Sequence, residues 1–124
     1  MKKRNHTYCE EWLKRGWKLD QEIRALKREQ RLAAEKAEEN NSGAANALRY
    51  TMQIQEQTER LFAVKLELFE CIMRLEERSH RVLLTLRYLS FLTWEEIAEI
   101  LEVNVRHVYR LHREALIAAE AYIF

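Results

Sequence analysis

The chain of 124 residues has no proline and only two glycines, Gly16 and Gly43. These are the residue types that most readily interrupt helices, so little here would break one. Glu, Lys, Arg, Ala and Leu, all good helix formers, are abundant instead. The expected fold class is all-α. The two cysteines, Cys9 and Cys71, stand in no CxxC or CxxH arrangement. They read as buried or half-buried thiols in a reducing cytosol, although spacing alone leaves a disulfide open. No apolar run approaches the ~20 residues that a membrane span needs. The N-terminus, MKKRNHTYCEEW, is basic but has no apolar core behind it and no small-residue cleavage site. It does not read as a secretory signal. A phosphate-binding glycine loop, an HExxH pair and a Cys/His ligand set are also absent, so neither an enzyme nor a cofactor or metal site is expected. His107 and His112 are five apart on a helix and diverge. His6 and His80 stand alone, and each reads as a surface residue.

Net charge is only +1, low for a chain that binds nucleic acid. Its distribution says more than its total. Residues 1–40 hold eleven Lys/Arg against eight Asp/Glu, and residues 79–124 hold five Arg against six Glu. Within that last segment the signs separate. Glu95, Glu96, Glu99 and Glu102 come first, and Arg106, Arg110 and Arg113 follow.

From Thr7 to about Glu39 the apolar residues fall at three- and four-residue steps: Tyr8, Trp12, Leu19, Ile23, Leu26, then Gln30, Ala33 and Ala37. There is one gap, at Arg15 and Gly16. This near-heptad stripe predicts a helix, with Thr7 and Glu10 in the form of a capping box. Alternating Lys/Arg and Glu on the outer positions read as a solvated coiled-coil face. Asn40-Asn41-Ser42-Gly43 is the one clear breaker. A second helix follows, with a stripe of Leu48, Met52, Gln55, Phe62, Leu66, Phe69 and Met73, and with Ile54, Leu61, Leu68, Ile72 and Leu75 beside it. Two helices of roughly 50 Å, at ~1.5 Å per residue, joined by a short loop should form a long antiparallel, coiled-coil-like hairpin. A hairpin of this kind leaves Phe62, Leu66 and Phe69 wet, which predicts a partner: the C-terminal segment, a second copy of the chain, or both. Gln30 and Gln55 read as exposed.

Ser79 is a candidate cap for a helix from Arg81 to Ser90. Thr93 and Glu96 form a second capping box, directly before the apolar run of Trp94–Leu101. Trp94, Ile97, Ala98 and Leu101 share one face, and Ala98 is small enough for a close helix crossing. Glu102-Val103-Asn104 makes a turn, with Val103 plugging the core and Asn104 capping the next helix. In that helix Val108, Leu111, Ala115 and Leu116 point inward. Asn104, Val105, Arg106, His107, Tyr109, Arg110, His112 and Arg113 form the candidate DNA-binding set. Arg106, His107 and Arg110 are assigned to base edges and Val105 to a thymine methyl, while Tyr109, His112 and Arg113 are assigned to phosphates.

Residues 79–120, with LLTLRYLSFLTWEEIAEILEVNVRHVYRLHREAL at their heart, resemble the promoter-reading region 4 of the primary sigma factor family. The whole chain, from YCEEWLKRGWKLDQEIRALK to VYRLHREAL, resembles small phage and prophage regulators of late transcription of the ArpU/RinA type. The resemblance implies a sigma region-4-like helix-turn-helix domain at residues 79–124 behind a helical hairpin, an oligomerisation or partner-binding arm, at residues 1–78. It implies sequence-specific DNA binding and control of transcription, with helix 105–117 in the major groove. The family's turn commonly has Gly where this chain has Glu102, which predicts a different or strained backbone, or a reshaped turn. The second helix begins Asn104-Val105-Arg106 rather than Ser/Thr-Arg-Glu, so base preference does not carry over.

The expected partners are double-stranded DNA and a second copy of the chain through the hairpin, with RNA polymerase a further candidate and no membrane. The expected place is the bacterial cytoplasm, at the nucleoid. Two other functions share these features. One is a small-terminase-like DNA packaging protein, which would form a ring of eight or more. The other is an adaptor that binds polymerase without reading DNA.

Overall fold

A computed structural model describes residues 6–39 and 43–123, and all described secondary structure is helical. The order is α1 (His6–Leu13), α2 (Arg15–Glu39), α3 (Ala44–Met73), α4 (Arg78–Tyr88), α5 (Trp94–Leu101) and α6 (Val105–Ile123). No described helix is long and apolar enough to cross a membrane. The single helix expected from Thr7 to Glu39 is divided at Lys14, next to the gap in its apolar stripe. There the Arg15 Nε donates to the Trp12 carbonyl at 3.0 Å. Thr7 lies inside α1, and its side chain is outside the described residues, as are Asn40, Asn41 and Ser42 of the breaker.

The chain forms two compact units. One combines Met1–Trp17 with Val64–Phe124, and the other is Lys18–Ala63. A division at residue 78 was expected from the sequence. The compact units are drawn differently because α1 and the end of α3 supply core to the helices that follow. Cys9 and Leu13 from α1, and Leu68, Ile72 and Leu75 from the end of α3 and just beyond it, are buried with Leu83, Leu84, Tyr88, Ile97, Val108 and Leu116. The Cys9 thiol reaches the Leu116 carbonyl at 3.5 Å. Both cysteines are free and buried. Burial pushes the Cys9 thiol up to about 12, with the neighbouring Cys71 and Glu120 adding to the shift, and it pushes Cys71 up as well. At neutral pH both are therefore protonated and poor nucleophiles.

The connection into α4 differs from the expected Ser79 cap. α4 starts at Arg78, three residues before the expected Arg81, with Glu77 at its N-cap and no side-chain cap bond. Arg81 instead donates to the carbonyls of Leu75 and Glu76, at 2.7 and 3.0 Å, and so satisfies backbone acceptors left open beyond α3. At the far end of α4, Phe91 takes a left-handed backbone, φ 62°. The Lys65 ammonium lies 4.9 Å from the centre of its ring.

In the second unit, α2 and α3 pass in opposite directions. Gly43 lies against Ala33 and Ala37, while further along Gln30 donates to the Thr51 hydroxyl at 2.6 Å. A Cβ on Gly43 would sit 2.5 Å from the Ala33 carbonyl oxygen and 2.8 Å from the Ala37 nitrogen, so only glycine permits this approach. Gln55 is exposed as expected, Gln30 is half-buried rather than exposed, and Gln57 is buried with no partner for its Oε1.

Candidate nucleic-acid interface

The site is built on α5, the turn after it and α6. Thr93 caps α5 in a complete capping box: its hydroxyl accepts from the Glu96 N–H at 3.1 Å, and its own N–H donates to Glu96 Oε1 at 2.8 Å. Ile97 and Ala98 are buried, and Trp94 and Leu101 are half-buried on the same side. Glu102 closes the helix with a left-handed backbone, φ 59° and ψ 44°, and its N–H donates to the Ala98 and Glu99 carbonyls. The turn therefore keeps a glycine-like conformation with a glutamate in it, a strain of about 1–2 kcal/mol. Val103 packs against the core and donates to the Ala98 carbonyl at 3.0 Å. Asn104 then caps α6, its Oδ1 accepting from the His107 N–H at 2.7 Å.

Val108, Ala115, Leu116 and Ala119 are buried on the inner side of α6, and Leu111 is partly so. Arg106, Tyr109, Arg110 and Arg113 are exposed on the other side, with Val105 and His107 half-buried. Positions 106, 110 and 113 are spaced four and three apart and so form one stripe. The Arg110 Nη2 donates to His107 Nδ1 at 2.7 Å. Arginine has no acceptor, so this bond requires Nδ1 to be unprotonated and leaves Nε2 to carry the ring proton.

His112 is not where the sequence reading put it. It is buried, sharing a 2.7 Å hydrogen bond through Nε2 with the Tyr88 hydroxyl. Its ring also lies 4.5 Å from that of Trp94, centre to centre. A side chain in this position cannot meet a phosphate. The reason is helical arithmetic: 112 lies four after Val108 and three before Ala115, squarely on the inner stripe. Burial holds the Tyr88 phenol well above its usual range, so it stays protonated as a partner for the imidazole. His80, expected at the surface, is buried too, with Nε2 4.0 Å from Glu114 Oε1 and Nδ1 unpartnered. The side chain of His6 is outside the described residues.

The sequence reading missed the brace behind the basic stripe. The Arg87 guanidinium stacks 4.1 Å above the Trp94 ring and donates to the Leu92 carbonyl at 2.8 Å. Tyr109 meets the edge of the same Trp94 at 5.6 Å. Trp94 is thus a hub holding α4, α5 and α6 in place. An aromatic at the first position of a capped helix is the only sequence signal for it. The outer side of α5 carries Glu95, Glu96, Glu99 and Glu102, all exposed. Among the described residues, no three His, Cys, Asp or Glu side chains gather as a metal site.

Comparison with known proteins places the chain beside none of them. No family model, curated protein or solved structure matches it. The chemistry of this surface must therefore carry the functional reading.

Proposed function

We propose that the chain is a sequence-specific DNA-binding regulator of transcription, with α5 and α6 acting as a helix-turn-helix and α6 entering the major groove. The observation that carries this reading is the exposed row of Arg106, Arg110 and Arg113 on one stripe of a helix whose opposite stripe is buried. Arginine forks match the guanine edge in the major groove, and they also neutralise phosphates. Arg106 and Arg110, with His107 between them, address bases, and Val105 offers an apolar contact for a thymine methyl. Tyr109 and Arg113 address the backbone, while His112 braces the reader from behind. The resemblance of the last third of the chain to sigma region 4, and of the whole to phage late regulators, supports the same reading and a phage or prophage origin.

The acidic outer side of α5 qualifies it. Glu95 and Glu99 repel phosphates, so few phosphate contacts are available and affinity on DNA alone is modest. That face instead suits a basic protein surface, which favours action together with RNA polymerase.

The test is binding of the full chain to DNA from its own gene neighbourhood, with and without RNA polymerase. Arg110→Ala should cost about 1–3 kcal/mol and relax preference at one base pair. An equal loss on every sequence would make Arg110 a phosphate contact. If Arg106→Ala and Arg110→Ala both left binding unchanged, the adaptor reading would replace this one. A ring of eight or more copies would point to packaging.

A further inference from the structure

Two heptad series run along α3. The inner one, Ala47, Tyr50, Ile54, Gln57, Leu61, Val64, Leu68 and Cys71, is buried or half-buried throughout. The outer one falls at 48, 52, 55, 59, 62, 66, 69 and 73, with steps of four and three repeated without a break. A seven-residue repeat is the pattern by which one helix presents a seam to another, and here six of the eight positions are apolar, the other two being Gln55 and Glu59. Yet Leu48, Met52, Phe62, Leu66, Phe69 and Met73 are between 44 % and 74 % exposed. Six exposed apolar side chains spread along about 38 Å of one helix face, at ~1.5 Å per residue, are more than isolated chains ordinarily leave in water.

We infer that this outer seam of α3 is the interface with a second copy of the chain, and that the two α3 helices pair antiparallel about a point between Arg60 and Leu61. The seam is complementary to its own reverse. Leu48 meets the other copy's Met73, Met52 its Phe69, Gln55 its Leu66 and Glu59 its Phe62. Each contact occurs twice, as a two-fold interface requires. Charge selects the same orientation. Arg49 and Glu70, both exposed, flank the seam near its two ends and face each other across an antiparallel pair. A parallel pair would instead set Glu59 against Glu59 in the middle of the seam. The charge pair it offers in return uses Lys65, whose ammonium already lies over the Phe91 ring. This inference does not depend on α6 binding DNA.

The test uses the full chain, without DNA. Sedimentation or light scattering should give the mass of a dimer. Phe62→Glu with Leu66→Glu should halve that mass and leave helix content unchanged, because both side chains are exposed. A doubly substituted chain, Gln55→Cys with Leu66→Cys, should oxidise to a covalent dimer. The two positions are three turns apart on one helix and cannot bridge within a chain. Gln55→Cys alone should not cross-link, and the unsubstituted chain is the control for Cys9 and Cys71. A monomer at the highest soluble concentration, or an oligomer unmoved by the two glutamates, would overturn the interface. Cross-linking by Gln55→Cys alone would overturn the antiparallel pairing.

Discussion

The two compact units are built from the same kind of sequence and reach opposite degrees of burial. In Lys18–Ala63 the buried described residues are Ile23, Gly43 and Gln57. In the unit holding α4, α5 and α6, Leu13, Leu68, Ile72, Leu83, Leu84, Tyr88, Ile97 and Val108 are all fully buried. The cause is the number of helices around each axis. Two helices cover only one stripe of each other, whereas several short helices at different angles enclose a volume. Amphipathic pattern alone therefore does not measure how much core a segment will have.

The sharpest way to break this comparison is to change one residue type on one helix. Leu61 and Leu68 both belong to the inner series of α3, seven residues apart, with Leu61 half-buried and Leu68 fully buried. Leu68→Ala should destabilise by about 2–5 kcal/mol and Leu61→Ala by roughly 1 kcal/mol, read from denaturant unfolding. Equal losses would mean that the two units are equally well packed. Next in size is the polar contact inside the better-packed unit. Tyr88→Phe removes the hydroxyl from His112 and leaves a buried imidazole nitrogen without its partner, at a cost of about 1–3 kcal/mol. A negligible change would show that water replaces the phenol. The smallest effect has the opposite sign. Gln57→Leu removes an unpartnered buried carbonyl from the thin unit and should stabilise it by about 0.5–1 kcal/mol. A loss of stability there would mean that Gln57 makes a contact through its amide that the leucine cannot replace.

Much of the site was legible because its signals are local. Thr93 and Glu96 cap α5, Asn104 caps α6, and Ala98 is buried and accepts from the Val103 N–H, each through bonds within a few residues. The exposed arginine stripe follows from periodicity in the same way. His112 was misplaced because its charge class was weighed above its helical position. The stacking of Arg87 on Trp94 and the bond of Tyr88 to His112 were not legible because the partners come from different helices, and no spacing rule connects them.

By itself the sequence determined the helical class, the bounds of α5, the caps at Thr93 and Asn104, and the presence of two adjacent apolar stripes on α3. All of these rest on propensities and on interactions a turn or two long. Only the tertiary structure decided which stripe of α3 is covered and which is left open, that α1 lends Cys9 and Leu13 to the core of the C-terminal helices, and that His112 and His80 lie inside. Those outcomes depend on which helices meet. Burial is a property of the meeting, settled by the total apolar area the whole chain can enclose and not by any one segment's pattern.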